Sequence, residues 1–499
     1  MDKLDDRLRK ILNHAMVEEV FHQLVRQKTD IVKDSIKIAK GCDGIGHVEF
    51  QNNIATHSKI ICEKGLNGKY TFAPFKETEA PKPPHATIDK ARIAGKAIDK
   101  PDKFIRTLSI STIQDTIFQK LLSDCISEHA ENVFQKNIDL HSWGYRKDKD
   151  SKMAVRKIRF YIDQGYYYVL DGDIQKFFDE IEHKFLLNKM QSFFGAENVL
   201  IQKFLYRFIK VDRILVGEFS GYKKQGKTTK RTIGIPQGGV LSGLLANVFL
   251  YDFDLYVVNT LMPKYDFKYF RYADDFVLLF KEKDNIENVH KLLEDFLRRE
   301  KLVLHPIGEK TTQLDLSPTG KQRLDFLGFG ISPKHLRVKG DNFKKFRNKI
   351  VTVLQGIETD ATEDVYFSNA CFEINKKIVG LEDLIDSNDG VCKECEKLIK
   401  KRSWIGYFMM VDDVRQLREI DTMIRTEIYK EFRRRSRRHL KKKELFTKTK
   451  GNLKSVESLY YQYKKQIQKY SSKGYCDCKF FYDNKSRKII REPLPDKKL

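Results

Sequence analysis

Apolar positions Leu8, Ile11, Leu12, Val17, Val20 and Phe21 recur between charged ones at helical spacing, so residues 1–40 are expected to be helical. Residues 41–104, with many glycines and the run Lys82-Pro83-Pro84, read as irregular and extended. A short strand is predicted over Ile105–Ile110, followed by a helix through Asp115, Phe118, Leu121, Leu122 and Ile126. A helix at 152–162 leads into Tyr166-Tyr167-Tyr168-Val169-Leu170, whose aromatic and β-branched content suits a core strand. Helices follow at 180–191 and 195–210, then a Gly/Lys-rich hairpin at 221–230 and a helical stretch at 241–258. Two strand-like runs flank Tyr272-Ala273-Asp274-Asp275; a helix at 285–299 and a β element at Phe326-Leu327-Gly328-Phe329 come next. Beyond Lys339 the pattern is mostly helical and basic, with no internal repeat. The alternation of strands and helices predicts an α+β fold.

Composition narrows the partners. In 499 residues, 41% hydrophobic and 12% aromatic content argue for packed cores, and a formal charge of +24 asks for an extended polyanion. Nucleic acid satisfies that demand better than a membrane surface, because no stretch approaches an 18-residue apolar span and no lipidation signal appears. The charged start of the chain does not resemble a signal peptide. Eight scattered cysteines, including Cys392-x-x-Cys395 and Cys476-x-Cys478, read as reduced intracellular thiols rather than a zinc site, since about 80 residues separate the two pairs and no histidine follows closely.

Candidate chemistry centres on acids. Adjacent side chains on a regular strand point to opposite faces, so Asp274 and Asp275 can serve one site only where the backbone bends. Like charges that close are costly without a cation beside them, although an acidic hairpin tip by itself is also ordinary turn chemistry. Asp171-Gly172-Asp173 closes the 166–170 strand and offers a third carboxylate; such a cluster can hold two Mg²⁺ ions through oxygen ligands. The segment Thr232-Ile233-Gly234-Ile235-Pro236-Gln237-Gly238-Gly239-Val240-Leu241-Ser242 sets a proline before a glycine turn that allows close backbone approach to a ligand.

The order and spacing of these pieces resemble reverse transcriptases, most closely the group II intron-type and related bacterial enzymes. Asp173-Ile174, Phe177-Phe178-Asp179 and His183 match the first catalytic motif, and that match selects Asp173 over Asp171. Phe178, five residues past Asp173, matches the bulky residue that excludes a ribonucleotide 2′-OH. Gly234 to Gly239 with Ser242 and Asn247 match the nucleotide and template pocket, and Arg271 to Asp275 the catalytic hairpin. Arg106 resembles the arginine that meets the triphosphate, with Lys103 as a second contact; Asp115 and Gln119 fit the following helix. Ser142-Trp143-Gly144-Tyr145-Arg146 resembles a Ser-x-Gly-Phe-Arg segment near template and nucleotide, and Lys310 is placed near the leaving phosphate. One departure stands out: Gly243 follows Ser242 where the family usually has proline, which should loosen the pocket floor.

The resemblance implies a right-hand polymerase: fingers with an N-terminal extension at 1–165, palm at 166–335, helical thumb or maturase-like region at 336–450 and a basic, tyrosine-rich tail at 451–499. It implies catalytic Asp173, Asp274 and Asp275; metal ligation by these and Ile174; two Mg²⁺, with Mn²⁺ as the alternative; and a dNTP and template pocket of Lys103, Arg106, Arg146, Phe178, Gln237 and Lys310. The implied activity is RNA-directed DNA synthesis from dNTPs, in a bacterial cytoplasm, on a dedicated structured noncoding RNA in antiphage defence. A retroelement or maturase role and an RNA-binding scaffold with an idle site are the alternatives. Expected partners are the RNA template, the DNA primer and product and dNTPs, with no membrane; a homo-oligomer is compatible. Eight cations within 433–443, and tyrosines Tyr460, Tyr461, Tyr463, Tyr470, Tyr475 and Tyr482, extend the basic character into the tail.

Overall fold

The computed structural model describes residues 3–30, 35–82, 88–97, 99, 104–218, 227–357, 362–379, 403–436, 441–449, 452–470, 480–483 and 488–491. Lys103, Cys392, Cys395, Cys476, Cys478, Tyr475, Arg437 and Arg438 therefore lie outside the described residues, as does most of the hairpin expected at 221–230. Two compact units adjoin in sequence at Leu324 and Asp325.

The first unit is built on an antiparallel four-stranded sheet in the order Thr312–Asp315, Tyr168–Asp173, Asp275–Phe280, Phe267–Tyr272. Phe276 to Phe280 are buried without alternation, because helices cover both faces of the sheet. Helices His183–Phe194 and Ser242–Phe249 pack on each other and share one core with Phe276 and Leu278. A second four-stranded sheet runs Ile105–Ile110, Phe75–Pro81, Arg213–Ile214, Thr228–Thr229.

Strand Ile105–Ile110 is followed by helix Ile113–Ile138, which packs on helices Leu4–Ile11, His14–Lys28 and His183–Phe194 and whose first turn is capped by the Thr112 hydroxyl accepting from the Asp115 N–H at 3.0 Å. Asp115 is buried and accepts from the Tyr70 hydroxyl at 2.8 Å and the Ala73 N–H at 3.0 Å; burial lifts its pKa to about 6.

Several expectations need correction. The 41–104 stretch is not irregular: it contains helices His47–Asn52, Ile54–Leu66 and Ile88–Lys96 and strand Phe75–Pro81. Its polar faces weakened the periodic signal, while Phe50, Ile61 and Phe75 are buried in the common core. The N-terminal helical segment is two helices, Leu4–Ile11 and His14–Lys28, and ends before residue 40. An apolar run long enough to cross a bilayer does exist, the 24 residues Ser242–Tyr265. It is apolar because most of it is buried inside the protein.

The second unit holds a three-stranded sheet, Leu324–Phe326, Phe329–Ile331 and Leu336–Val338, then helices Gly340–Gln355, Glu363–Val379, Val414–Ser436 and Val456–Tyr470. The turn between its first two strands uses Leu327 and Gly328, both at positive φ (48° and 86°).

Candidate active site

The central sheet brings the acids to one end. Asp173 closes its strand directly opposite Asp275, which in turn pairs with Tyr272 across a hairpin whose loop is Ala273-Asp274. Ala273 sits at φ 60°, the bend that the adjacent carboxylates required. Gly172 faces Phe276, and a Cβ there would lie 2.3 Å from that ring, so glycine lets the phenyl cover the strand just before Asp173.

Lys310 Nζ donates to Asp173 Oδ2 at 2.9 Å, and His305 Nε2 lies 3.5 Å from the same oxygen. The loop carrying these groups is pinned by a main-chain bridge: the His305 N–H donates to the Asp173 carbonyl at 3.0 Å, and the Gln175 N–H to the Val303 carbonyl at 2.8 Å. Asp274 has its pKa raised by burial first, then by the charge of Asp173. Mutual repulsion of acids is what a cation would relieve. Their hard oxygen donors suit Mg²⁺ or Mn²⁺, although among the described residues no three His, Cys, Asp or Glu side chains converge into a closed metal cluster. Asp173, Asp274 and Asp275 are the residues that would hold such an ion. The Ile174 side chain is buried and apolar, so only its main chain could contribute.

Arg271 has a different job from the acids beside it. Its guanidinium is fully buried and ion-paired to Asp254, donating from Nε at 2.8 Å; it also donates to Asn247 Oδ1 (2.9 Å), Ser142 Oγ (2.9 Å) and the Ala273 carbonyl (2.8 Å). One side chain thus ties the hairpin loop to two neighbouring segments. The Asp254 carboxylate holds the guanidinium charged against the cost of burial. Arg146, expected in the nucleotide pocket, is instead enclosed in the core against Glu131 (2.6 Å) and the Ser142 carbonyl (3.0 Å). Fully desolvated and paired, it braces the segment and does not line the pocket.

The glycine loop docks on two sides. Its Ile235 N–H donates to the Phe178 carbonyl (2.8 Å), its Gly234 N–H to the Ile181 carbonyl (2.9 Å), and its Gln237 carbonyl accepts from the Ser109 N–H (2.7 Å). A Cβ at Gly234 would lie 2.7 Å from the Asp179 carbonyl oxygen, and φ there is 75°. Gln237 Nε2 donates to Asp179 Oδ1 at 3.2 Å, and Val240 N–H to Gln119 Oε1 at 2.9 Å. The loop is therefore fixed beside Phe178.

A cation missed in the sequence completes the surroundings. Lys82 follows strand Phe75–Pro81, whose Ala80 pairs with Arg106, and its N–H donates to the Phe104 carbonyl at 2.7 Å. Burial, then the nearby charges of Lys310 and Arg106, lower its pKa, while Asp179 and Asp173 oppose that shift. Lys82, Arg106 and Lys310 thus gather positive charge around Asp173 and Asp179. The proline-rich run obscured Lys82; strand pairing with Arg106 was the missing signal.

Comparison with known proteins agrees. Residues 98–331 match the family model described as reverse transcriptase (RNA-dependent DNA polymerase). Protein YkfC of Escherichia coli (strain K12) is 24% identical over 273 residues, 48% of this chain and 63% of that protein. The group II intron-encoded protein LtrA of Lactococcus lactis subsp. cremoris is 28% identical over 167 residues, 34% of this chain and 25% of that protein. The match thus spans less than two thirds of either relative. Among solved structures, apo telomerase from Candida tropicalis aligns with TM-score 0.43 at 12% identity, over 81% of this chain and 62% of that one. A partial Cas6-RT-Cas1–Cas2 complex aligns with TM-score 0.32 at 20% identity, over 59% and 41%. Residues 98–331, which hold the paired acids, the glycine loop and the Arg271 hub, are a reverse-transcriptase domain related to those of group II intron-encoded proteins.

Proposed function

We propose that this protein is an RNA-directed DNA polymerase of right-hand architecture. The observation that carries the reading is the placing of Asp274, at the hairpin bend, beside the cross-strand pair Asp173 and Asp275, with Lys82, Arg106 and Lys310 gathered around them. Divalent metal ions held by the three acids would supply activation of a primer 3′-hydroxyl and charge neutralisation at the transferring phosphoryl group. The chain's own groups would do the rest. Lys82 and Arg106 would bind the triphosphate, and Lys310, released from Asp173, would face the pyrophosphate leaving group. Phe178 would close the space beside the sugar 2′ position. Gln237, oriented by Asp179, would meet the template or nucleotide edge.

The helical second unit is the proposed thumb. Its helices Gly340–Gln355 and Val414–Ser436 form a groove lined by Phe343, Arg347, Arg415, Arg418, Met423 and Lys430, which would take a nucleic-acid backbone. A dedicated structured RNA as template, antiphage defence as the role and a bacterial cytoplasm as the setting are proposed from the resemblance to domesticated bacterial enzymes. The match to LtrA favours a second reading, a role beside a group II intron.

The test is direct. Asp274→Ala with Asp275→Ala should abolish dNTP incorporation while RNA binding survives; retained incorporation would remove the site. Sequencing the nucleic acid that co-purifies with the protein would separate a dedicated RNA from an intron.

A further inference from the structure

The pocket floor at Gly243 is not loose. An ideal Cβ on Gly243 would lie 2.5 Å from Cγ and Cδ1 of Tyr145, so the tyrosine ring occupies the room that the absent side chain leaves. Both residues depart from the pattern described above, Tyr145 from phenylalanine and Gly243 from proline, and the two departures touch.

The segment around Tyr145 is held from every side. Ser142 Oγ accepts from Arg271, the Trp143 N–H donates to the Arg271 carbonyl (2.9 Å), the Gly144 carbonyl accepts from Asn247 Nδ2 (2.8 Å), and Arg146 is locked on Glu131. A Cβ at Gly144 would lie 2.4 Å from the Ala273 nitrogen, so this backbone rests on the catalytic hairpin itself. Amid these anchors Tyr145 adopts φ 55°, costly for an aromatic residue, and remains 57% exposed. Asp274 and Asp275 are close enough for their charges to act on its hydroxyl. A well-packed frame thus holds one strained, accessible ring between the acids and the start of the helix after the glycine loop.

We propose that Tyr145, seated on Gly243, is a stacking platform for a nucleoside at the catalytic acids, and that the two residues act as one specificity-determining unit. Every nucleobase offers a π-face to such a ring, and a phenol brings large contact area at little conformational cost. This rests on the polymerase reading, and the ligand chemistry is the nucleoside itself, whether of the incoming nucleotide, the primer end or the template.

The experiment uses the full chain on poly(rA)·oligo(dT). In separate arms 5-iodouracil is placed in the incoming nucleotide, at the primer 3′ end or, with poly(rA) replaced by a mixed RNA, in the template, and irradiation products are mapped by mass spectrometry. Cross-linking to Tyr145 in one arm is expected and identifies the source. In steady state, Tyr145→Ala should raise KM for dTTP about tenfold, the change that roughly 1.4 kcal/mol of stacking gives, with a smaller effect on kcat. Gly243→Ala, which pushes the ring aside, should shift KM in the same direction, and the double variant should be no worse than Tyr145→Ala alone. Tyr145→Phe, which keeps the ring, should lose less than Tyr145→Ala. Cross-links confined to other residues, or additive effects of the two substitutions, would overturn the proposal. A wild-type chain that cross-links at Tyr145 yet incorporates nothing would instead overturn the polymerase reading.

Discussion

Arg271 and Asp254 show how a single charged residue can serve a site without touching a substrate. A buried arginine shared among a carboxylate, an amide, a hydroxyl and the hairpin carbonyl sets the loop geometry on which Asp274 depends. Removing it leaves Asp254 buried and unpaired, which typically costs about 3–5 kcal/mol. Arg271→Ala should therefore lower the urea midpoint strongly, and Arg271→Lys, which keeps charge but loses the fork, should recover only part. Asp115 gives a pH-dependent counterpart. Its folded pKa of about 6 exceeds an unfolded value near 3.9, so the native state binds the proton more tightly. The protonated form is the stabilised one; this contribution is present below about pH 4 and is lost as pH rises through 6. Relative to wild type, Asp115→Asn should gain stability between pH 4.5 and 7, by roughly 2 kcal/mol, read as the shift between paired urea midpoints. A constant offset would deny the titration.

At the scale of elements, the strand ends do the positioning. Strand Tyr168–Asp173 and hairpin strand Asp275–Phe280 were readable from apolar runs, because central strands covered on both faces advertise themselves as continuous hydrophobic sequence. Strand Thr312–Asp315 was not readable, since three of its four residues are polar and the strand takes its place only by pairing with Tyr168 to Asp171. Strand Phe75–Pro81 was hidden likewise, and with it Lys82. Lys82→Ala should raise KM for dNTP severalfold with RNA affinity kept, and an unchanged KM would remove it from the triphosphate site. Phe178→Ala should admit ribonucleotides; unaltered sugar selectivity in paired dNTP and NTP assays would sink the gate.

For the whole molecule, a charge of +24 announces a polyanion without saying where it lies. The run at 433–443 is the densest in charge along the chain. In the folded second unit Arg434 and Arg435 are paired with Glu431, and Arg435 also donates to the carbonyls of Leu354 (2.7 Å) and Ile357 (2.6 Å) at the end of a neighbouring helix. Those two cations are at least partly spent on the fold. The groove of Arg347, Arg415, Arg418 and Lys430 is the better candidate, although its cations have acidic partners of their own. Arg415→Ala with Arg418→Ala should reduce the slope of log affinity against log salt by about two for RNA, whereas Arg434→Ala should change stability more than slope.

By itself the sequence determined the residue types, order and spacing of the candidate site groups: Asp173, Phe178, the glycine loop and the acidic hairpin lie on short local segments whose motifs survive as linear text. Tertiary structure alone decided which cations are free to meet a ligand. Arg146 and Arg271 looked like site residues and are buried braces, while Lys82 looked like part of a loop and stands by the acids. It also decided that the room beside Gly243 is filled, by a ring almost a hundred residues earlier in the chain. The physical reason is common to all of these. A charge or a gap takes its meaning from the groups that desolvate, pair with or fill it, and those arrive from segments that only folding brings together.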